Sequence, residues 1–397
     1  GKGYLPGRKI NLGTGNTLTT ALDFDDIGRE TRRTLTLSDR QGQPLQPEQQ
    51  IDLTYLADGN LATCHRQIAG QTVLLETYNY DLRGRLELYE CAGSELPEDR
   101  FANAIVRQFY EFDALDNIIY TRTDFADGSQ DIAEFGFASA DPCQLMSASH
   151  SHPSYQALRS DYAYDADGNL ALDELGQQLS YDSQGRLLAV KTAAGQALSS
   201  YRYDAHNHLL GVTAQGSAEA LRFYQAENVS HTVQDGHHTQ WLYHGTQPLG
   251  QQTPGDPSKT LLLLTDAKHS VIGELEGANL RTAVYSAYGE RSSDEPLNSL
   301  PGFNGEVRDP ASGWYLLGRG YRAYNPGLMR FHSPDSLSPF GAGGINCYMY
   351  CTGNPIAFSD PTGRSQIINN PWFNAGVAAA TTVLGIVLSI VTWNPGP

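Results

Sequence analysis

Polar and apolar residues alternate with a period of two over much of this chain, as in TLTTALDF (17–24) and RTLTLSDRQG (33–42). That period puts successive side chains on opposite faces of an extended backbone and predicts short β-strands. A recurring corner punctuates the strands. FDDIGRE (24–30), YDLRGRLELY (80–89), FDALDNIIY (112–120), YDADGNLAL (164–172), YDSQGRLLAV (181–190) and YDAHNHLLGV (203–212) approximate one form, aromatic-Asp-x-x-Gly/Asn-Arg/Asn-Leu. Asp165, Asp182 and Asp204 are 17 and 22 residues apart, which suits one or two strands per unit. In each unit the aromatic ends a strand. The Asp accepts from backbone N–H groups two residues on, and Gly or Asn takes the φ > 0 position. The Leu segment then starts the next strand.

A lone hairpin is marginal, but stacked hairpins cover one another's edges and grow a long, curving sheet. Thr, Ser, Gln and Tyr occur on both alternations of these strands, so the sheet is expected to be a wall between two aqueous spaces rather than a filled barrel. The alternative for the Asp residues is calcium or catalysis. DADGNLALDE (165–174) has a distant likeness to a calcium loop but lacks the EF-hand spacing, and equivalent Asp residues recur in every unit.

Composition narrows the class. The 40 Gly and 22 Tyr among 397 residues fit many turns and many strands. A net charge of −17 argues against nucleic acid as the main partner, because phosphate binding needs basic patches. Cys64, Cys91, Cys143, Cys347 and Cys351 are odd in number and scattered, so no disulfide framework is expected. CYMYC has no second ligand pair at a zinc-like distance, and neither metal nor cofactor is expected. The histidines of HSH (150–152) and DGHH (235–238) read as surface groups. The chain begins at Gly1 without a Met or a secretory signal, which reads as a fragment or a processed chain.

The repeats resemble YD (Rhs) repeats. The block LPGFNGEVRDPASGWYLLGRGYRAYNPGLMRFHSPDSLSPFGAGGINCYMYCTGNPIAFSDPTGR (300–364) closely resembles the Rhs repeat-associated core domain. The upstream part is similar to the C component of bacterial Tc toxins and to pseudomonad Rhs toxins. The resemblance implies an all-β hollow shell over 1–299, a core domain over 300–364 that seals one end, and the start of a variable cargo segment over 365–397. It implies an aspartyl-type self-cleavage just past the core motif, which frees a toxin held inside the shell. The implied partners are a Tc B-like component or a missing N-terminal half that completes the wall. A Tc A-type translocon or type VI secretion spike would deliver the cargo, and an immunity protein would protect kin. The implied route is synthesis in a bacterial cytoplasm, export, and delivery to a target cell.

Peptide-bond cleavage needs a nucleophile with a base, or carboxylates around a water. No GxSxG occurs, and His332 is the one His in the core block, so the carboxylates Asp309, Asp335 and Asp360 are the candidates. Two that share a proton would make an acid–base pair. The resemblance maps that pair onto Asp309 and Asp335, with Arg330 holding a carboxylate or polarising the carbonyl. Asp360 and Gly363 then form the DPxG turn that presents the Arg364–Ser365 bond. Relatives usually carry Leu or His where this chain has Arg364. The competing reading is that all three Asp residues cap turns.

Residues 375–393 are 19 uncharged positions that include Leu384 and Ile386, flanked by Trp372 and Trp393. This is the length of a membrane-spanning helix, and a target membrane is its expected partner. The rival readings of the whole are a non-proteolytic surface scaffold that binds carbohydrate or protein, and a repeat array anchored by that helix.

Overall fold

The computed structural model describes residues 8–11, 16–293 and 296–368. Two antiparallel meanders dominate it. Eleven strands, from Arg8–Asn11 to Leu145–His150, form one sheet, and fourteen, from Ala163–Tyr164 to Arg291–Ser293, form the other. Within each of these sheets every strand pairs with its neighbours in sequence, so each connection inside a sheet is a hairpin. Helix is limited, among the described residues, to one turn at Leu317–Gly320 and three 3-10 turns. The chain is all-β, as its alternation requires.

The corners form as the sequence predicts. Asp25, Asp81, Asp113, Asp165, Asp182 and Asp204 each accept at one oxygen the N–H groups of residues two and four further on, at 2.8–3.1 Å. The residue three past each Asp has φ between 63° and 87°: Gly28, Gly84, Asp116, Gly168, Gly185 and Asn207. The second carboxylate oxygen of Asp25, Asp81 and Asp182 takes the Arg four residues on, and that of Asp113 and Asp165 takes an Asn there. Asp39, Asp99, Asp173 and Asp266 build the same corner without the preceding aromatic. The sequence signal for these four was an Asp followed three positions later by Gly, Ala or His, which is weaker than the full motif.

Successive units are tied to one another. The hydroxyls of Tyr55, Tyr181, Tyr203, Tyr224 and Tyr285 donate to the carbonyls of Glu30, Leu170, Leu187, Leu209 and Val271 at 2.7–3.0 Å. Each acceptor lies five residues past the preceding corner Asp. The Arg side chains of corners 25, 81 and 182 stack on the aromatics Tyr55, Phe112 and Tyr203 of the next unit, 4.4–4.6 Å from the ring centre. The pairing register slips just before the corner aromatic at Phe24, Tyr55, Tyr80, Phe112, Tyr181 and Tyr203. A bulge repeated at one place in each unit adds twist and bends the sheet in one sense.

One expectation is corrected. The strands TLTTALDF and ETRRTLTLS are not wet on both faces. Leu18, Leu35 and Leu37 are 2% exposed and pack with Ile51 and Leu53 against Leu262, Leu264 and Leu275 of the second sheet. Alternate Leu is enough to seal one face, and the Thr residues between them line the other. Residues 300–368 pack on both sheets. Tyr315, Tyr324, Phe331 and Tyr350 share a core with Tyr78, Tyr89 and Tyr110 of the first sheet and Tyr285 and Tyr288 of the second. The apolar stretch 375–393, with Trp372, Leu384, Ile386 and Trp393, lies outside the described residues. Among those described, no helix is long and apolar enough to cross a membrane.

Removing the Asp182 carboxylate leaves two partly buried N–H donors unpaired and takes from Arg186 one of its two acceptors, Asn207 Oδ1 being the other. Asp182→Ala is expected to cost on the order of 1–3 kcal/mol in denaturant unfolding. Asp182→Asn keeps the Oδ1 acceptor and is expected to lose less. Equal losses for the two variants would show that the turn does not depend on that acceptor.

Candidate active site

The site is built on a three-stranded sheet, Tyr315–Leu316, Arg322–Asn325 and Arg330–Phe331. In it Tyr324 faces Phe331 and Asn325 faces Arg330. That register puts Arg322 on the same face as Phe331, and its guanidinium carbon is 3.6 Å from the ring centre. Arg322 is 3% exposed and gathers four acceptors. Its Nη2 lies 2.9 Å from Asp335 Oδ2 and 3.5 Å from Asp360 Oδ2, and its Nη1 donates to the Cys347 carbonyl at 3.0 Å. Its Nε donates to the Gly363 carbonyl.

Asp335 is fixed at its other oxygen by the Leu337 N–H at 2.9 Å. Asp360 organises the DPTG turn. Its Oδ1 accepts from the N–H groups of Arg364 at 3.0 Å and Ser365 at 3.1 Å and from the Thr362 hydroxyl at 3.1 Å. Burial raises the Asp360 pKa from its usual value, a shift that Arg322, the Thr362 hydroxyl and the two amides oppose without cancelling. The turn packs closely on the sheet: Gly318 has φ +62°, and a Cβ there would lie 2.0 Å from the Thr362 carbonyl oxygen. Arg364 stacks on Tyr321 at 3.8 Å and donates to Ser336 Oγ at 3.0 Å. Arg322, Asp335, Asp360, Arg364 and Ser365 line one small cavity.

Two of the sequence candidates go elsewhere. Asp309 is fully buried. It accepts from the Tyr201 hydroxyl at 2.9 Å and from Ser312 Oγ at 2.7 Å, capping the turn that leads to Trp314. Its hydrogen bonds include none to the Arg322 group. Arg330 holds neither Asp335 nor Asp360. It alternates with Phe331, so it leaves the hairpin on the face opposite Arg322. There it donates to the Cys143 carbonyl and lies over the rings of Phe137 and Tyr348, 5.3 Å from each centre. Arg322, which the sequence reading missed, occupies the place assigned to Arg330. The missed signal was local: Arg322 begins the strand whose partner leads into Asp335.

The other thiol and imidazole groups of the block are buried, Cys347 in part. Burial pushes the Cys347 thiol up to about 12 and the Cys351 thiol well above its usual value. His332 is 1% exposed, packs edge-on to Trp314 at 4.3 Å, and has no hydrogen-bond partner at either ring nitrogen. Burial lowers its pKa to about 4. His150 of the HSH run is half of a pair with Asp131, at 2.7 Å, and stacks on Tyr155. Among the described residues no group of three His, Cys, Asp or Glu side chains is placed to hold a metal.

The sequence matches the teneurin YD-shell family over residues 7–342. Solved structures of similar fold include the TcdB2–TccC3–Cdc42 complex, at 16% identity and TM-score 0.55, covering 92% of this chain and 21% of the other. Another is the Tc holotoxin pore of Photorhabdus luminescens with a mutated TccC3, at 17% identity and TM-score 0.54, covering 91% and 21%. The chain thus spans about a fifth of the length of the solved chains it resembles. No curated protein sequence matches it.

His332 gives the block a pH dependence. Its folded pKa is depressed, so the unfolded chain binds the extra proton between about pH 6.5 and pH 4. The stability it contributes is complete above pH 6.5 and is lost as pH falls towards 4, by up to about 3 kcal/mol. Denaturant unfolding at pH 7 and pH 4.5 is expected to show a smaller acid loss in His332→Phe than in the wild type. An equal loss in both would remove His332 as a cause.

Proposed function

The chain belongs to the teneurin YD-shell family, and on that premise we propose that it is part of a toxin-encapsulating shell whose core block cuts its own chain at the DPTG boundary. The observation that carries this reading is the Arg322 cluster: one buried guanidinium holds two carboxylates and the carbonyl oxygen of the boundary segment. A fixed cation on a carbonyl oxygen stabilises the charge that develops there during acyl transfer. Carboxylates beside it supply proton transfer. The contacts favour Asp335 with Asp360 as the working pair over Asp335 with Asp309. By the same reading residues 1–299 are wall, 300–364 the sealing core, and the segment beyond the cut is cargo bound for a target cell or its membrane. Sequence outside this chain, or a B-like component, completes the wall. Export and delivery by a Tc A-type translocon or a type VI spike, with an immunity protein in the producer, follow from that assignment.

A second reading is favoured by how fully the cluster is satisfied. Arg322 offsets the charge of both carboxylates, and Asp360 Oδ1 already accepts from three donors. Such an arrangement fastens the boundary segment to the core of a scaffold without cutting it.

Intact mass of the purified chain separates the two. Self-cleavage gives two species that divide within residues 363–365. Asp335→Asn, which loosens Arg322, is expected to slow the cut by roughly 10²-fold, while Asp309→Asn cuts like the wild type. A single full-length mass for the wild type supports the scaffold reading and overturns self-cleavage.

A further inference from the structure

A cavity of about 150 Å³ lies between the two large sheets and shares no lining residue with the small cavity at Arg322. Its walls include Leu53, Leu74 and Tyr78 of the first sheet, Ile272 and Tyr285 of the second, and Phe303 of the core block. An apolar space of this size in a protein interior holds a benzene-sized molecule. Three of these six side chains are rings, which favour another ring among them in edge-on or offset contact.

The charged groups on the lining narrow the ligand further. Four of them are engaged. Arg29 pairs with Asp25 at 2.7 Å, and Arg66 pairs with Glu95. Glu76 accepts from the Tyr89 hydroxyl at 2.7 Å, and Asp266 accepts the N–H groups of its own corner. Lys268 is the exception. It is half-buried, its ammonium lies 5.0 Å from the centre of the Phe303 ring, and among the described residues it forms no ion pair. Arg66 is 5% exposed and its Nε also lacks a partner among the described residues. Burial raises the Glu76 pKa, which lessens the negative charge on the same lining.

From this arrangement we propose that the cavity is a binding site for a small aromatic carboxylate. The ring takes the apolar space, and the carboxylate meets the Lys268 ammonium beside Phe303. One ammonium matches one monoanion. A phosphate brings a second charge that nothing on the lining offsets, and a neutral ring leaves Lys268 unmatched. A bound molecule touches both sheets and the core block at once. Occupancy therefore braces the three against one another and stabilises the folded chain by mass action. None of this depends on whether the chain cuts itself, because the cavity is built from other residues.

The test is calorimetric titration of the full chain with benzoate, and with toluene as the neutral match, alongside melting temperature in each. The expected result is one benzoate per chain, a melting temperature that rises with benzoate, and toluene bound roughly 10-fold more weakly. Lys268→Gln is expected to melt like the wild type without ligand, to lose roughly 10-fold in benzoate affinity, and to keep its affinity for toluene. Ala267→Phe puts a ring into the cavity from its own lining and is expected to bind neither. No benzoate bound by the wild type at about 10 mM overturns the proposal. So does equal affinity for toluene and benzoate, full benzoate affinity in Lys268→Gln, or full benzoate affinity in a folded Ala267→Phe. If Ala267→Phe does not fold, Lys268→Gln decides alone.

Discussion

The structure depends on a carboxylate that folds a corner. An Asp at the end of a strand accepts two backbone N–H groups with one oxygen and holds an Arg or Asn with the other. Ionised acceptors make stronger hydrogen bonds than neutral ones, and here they satisfy donors that a tight turn would otherwise leave unpaired. The corner fixes where each hairpin turns and so fixes register, which in an alternating strand decides which face is buried. Because the same turn recurs, the Leu or Ile that follows it recurs in the interior: Leu86, Ile118, Leu170, Leu187 and Leu209 are all buried.

Corners alone would give independent hairpins. The Tyr hydroxyl that reaches back to the preceding unit, and the Arg that stacks forward on the next aromatic, couple one unit to its neighbours. The chain uses Tyr for this because one side chain supplies both an apolar body for the interior and a polar tip for a carbonyl. The bulge before each corner aromatic repeats the same local added twist from unit to unit along the sheet. Residues 300–368 then bring their own Tyr and Phe side chains against both sheets, so the candidate site rests on the tyrosine core that the repeats create.

That dependence explains the chemistry of the boundary. Asp335 and Asp360 are 25 residues apart in sequence, yet both reach one arginine because the hairpin 322–331 and the DPTG turn pack on the same buried surface. In that surrounding a guanidinium stacked on Phe331 is held rigidly. The same burial that raises the Asp360 pKa raises those of the Cys347 and Cys351 thiols and lowers that of His332.

The all-β class, the meander and the corner Asp residues were legible in the sequence because each arises from contacts within about five residues: alternation, an Asx-type turn, a φ > 0 residue. The Asp360–Gly363 turn was legible for the same reason. What the tertiary structure decided was which face of each strand is covered, and which arginine meets the carboxylates. Leu-Thr alternation reads equally as a wet wall or a half-buried one, and only the approach of the second sheet to Leu18, Leu35 and Leu37 chose between them. Arg330 stands nearer to Asp335 in sequence than Arg322 does, but adjacent residues on a strand point to opposite faces. The pairing of Tyr324 with Phe331 therefore turned Arg330 away and delivered Arg322 to Asp335.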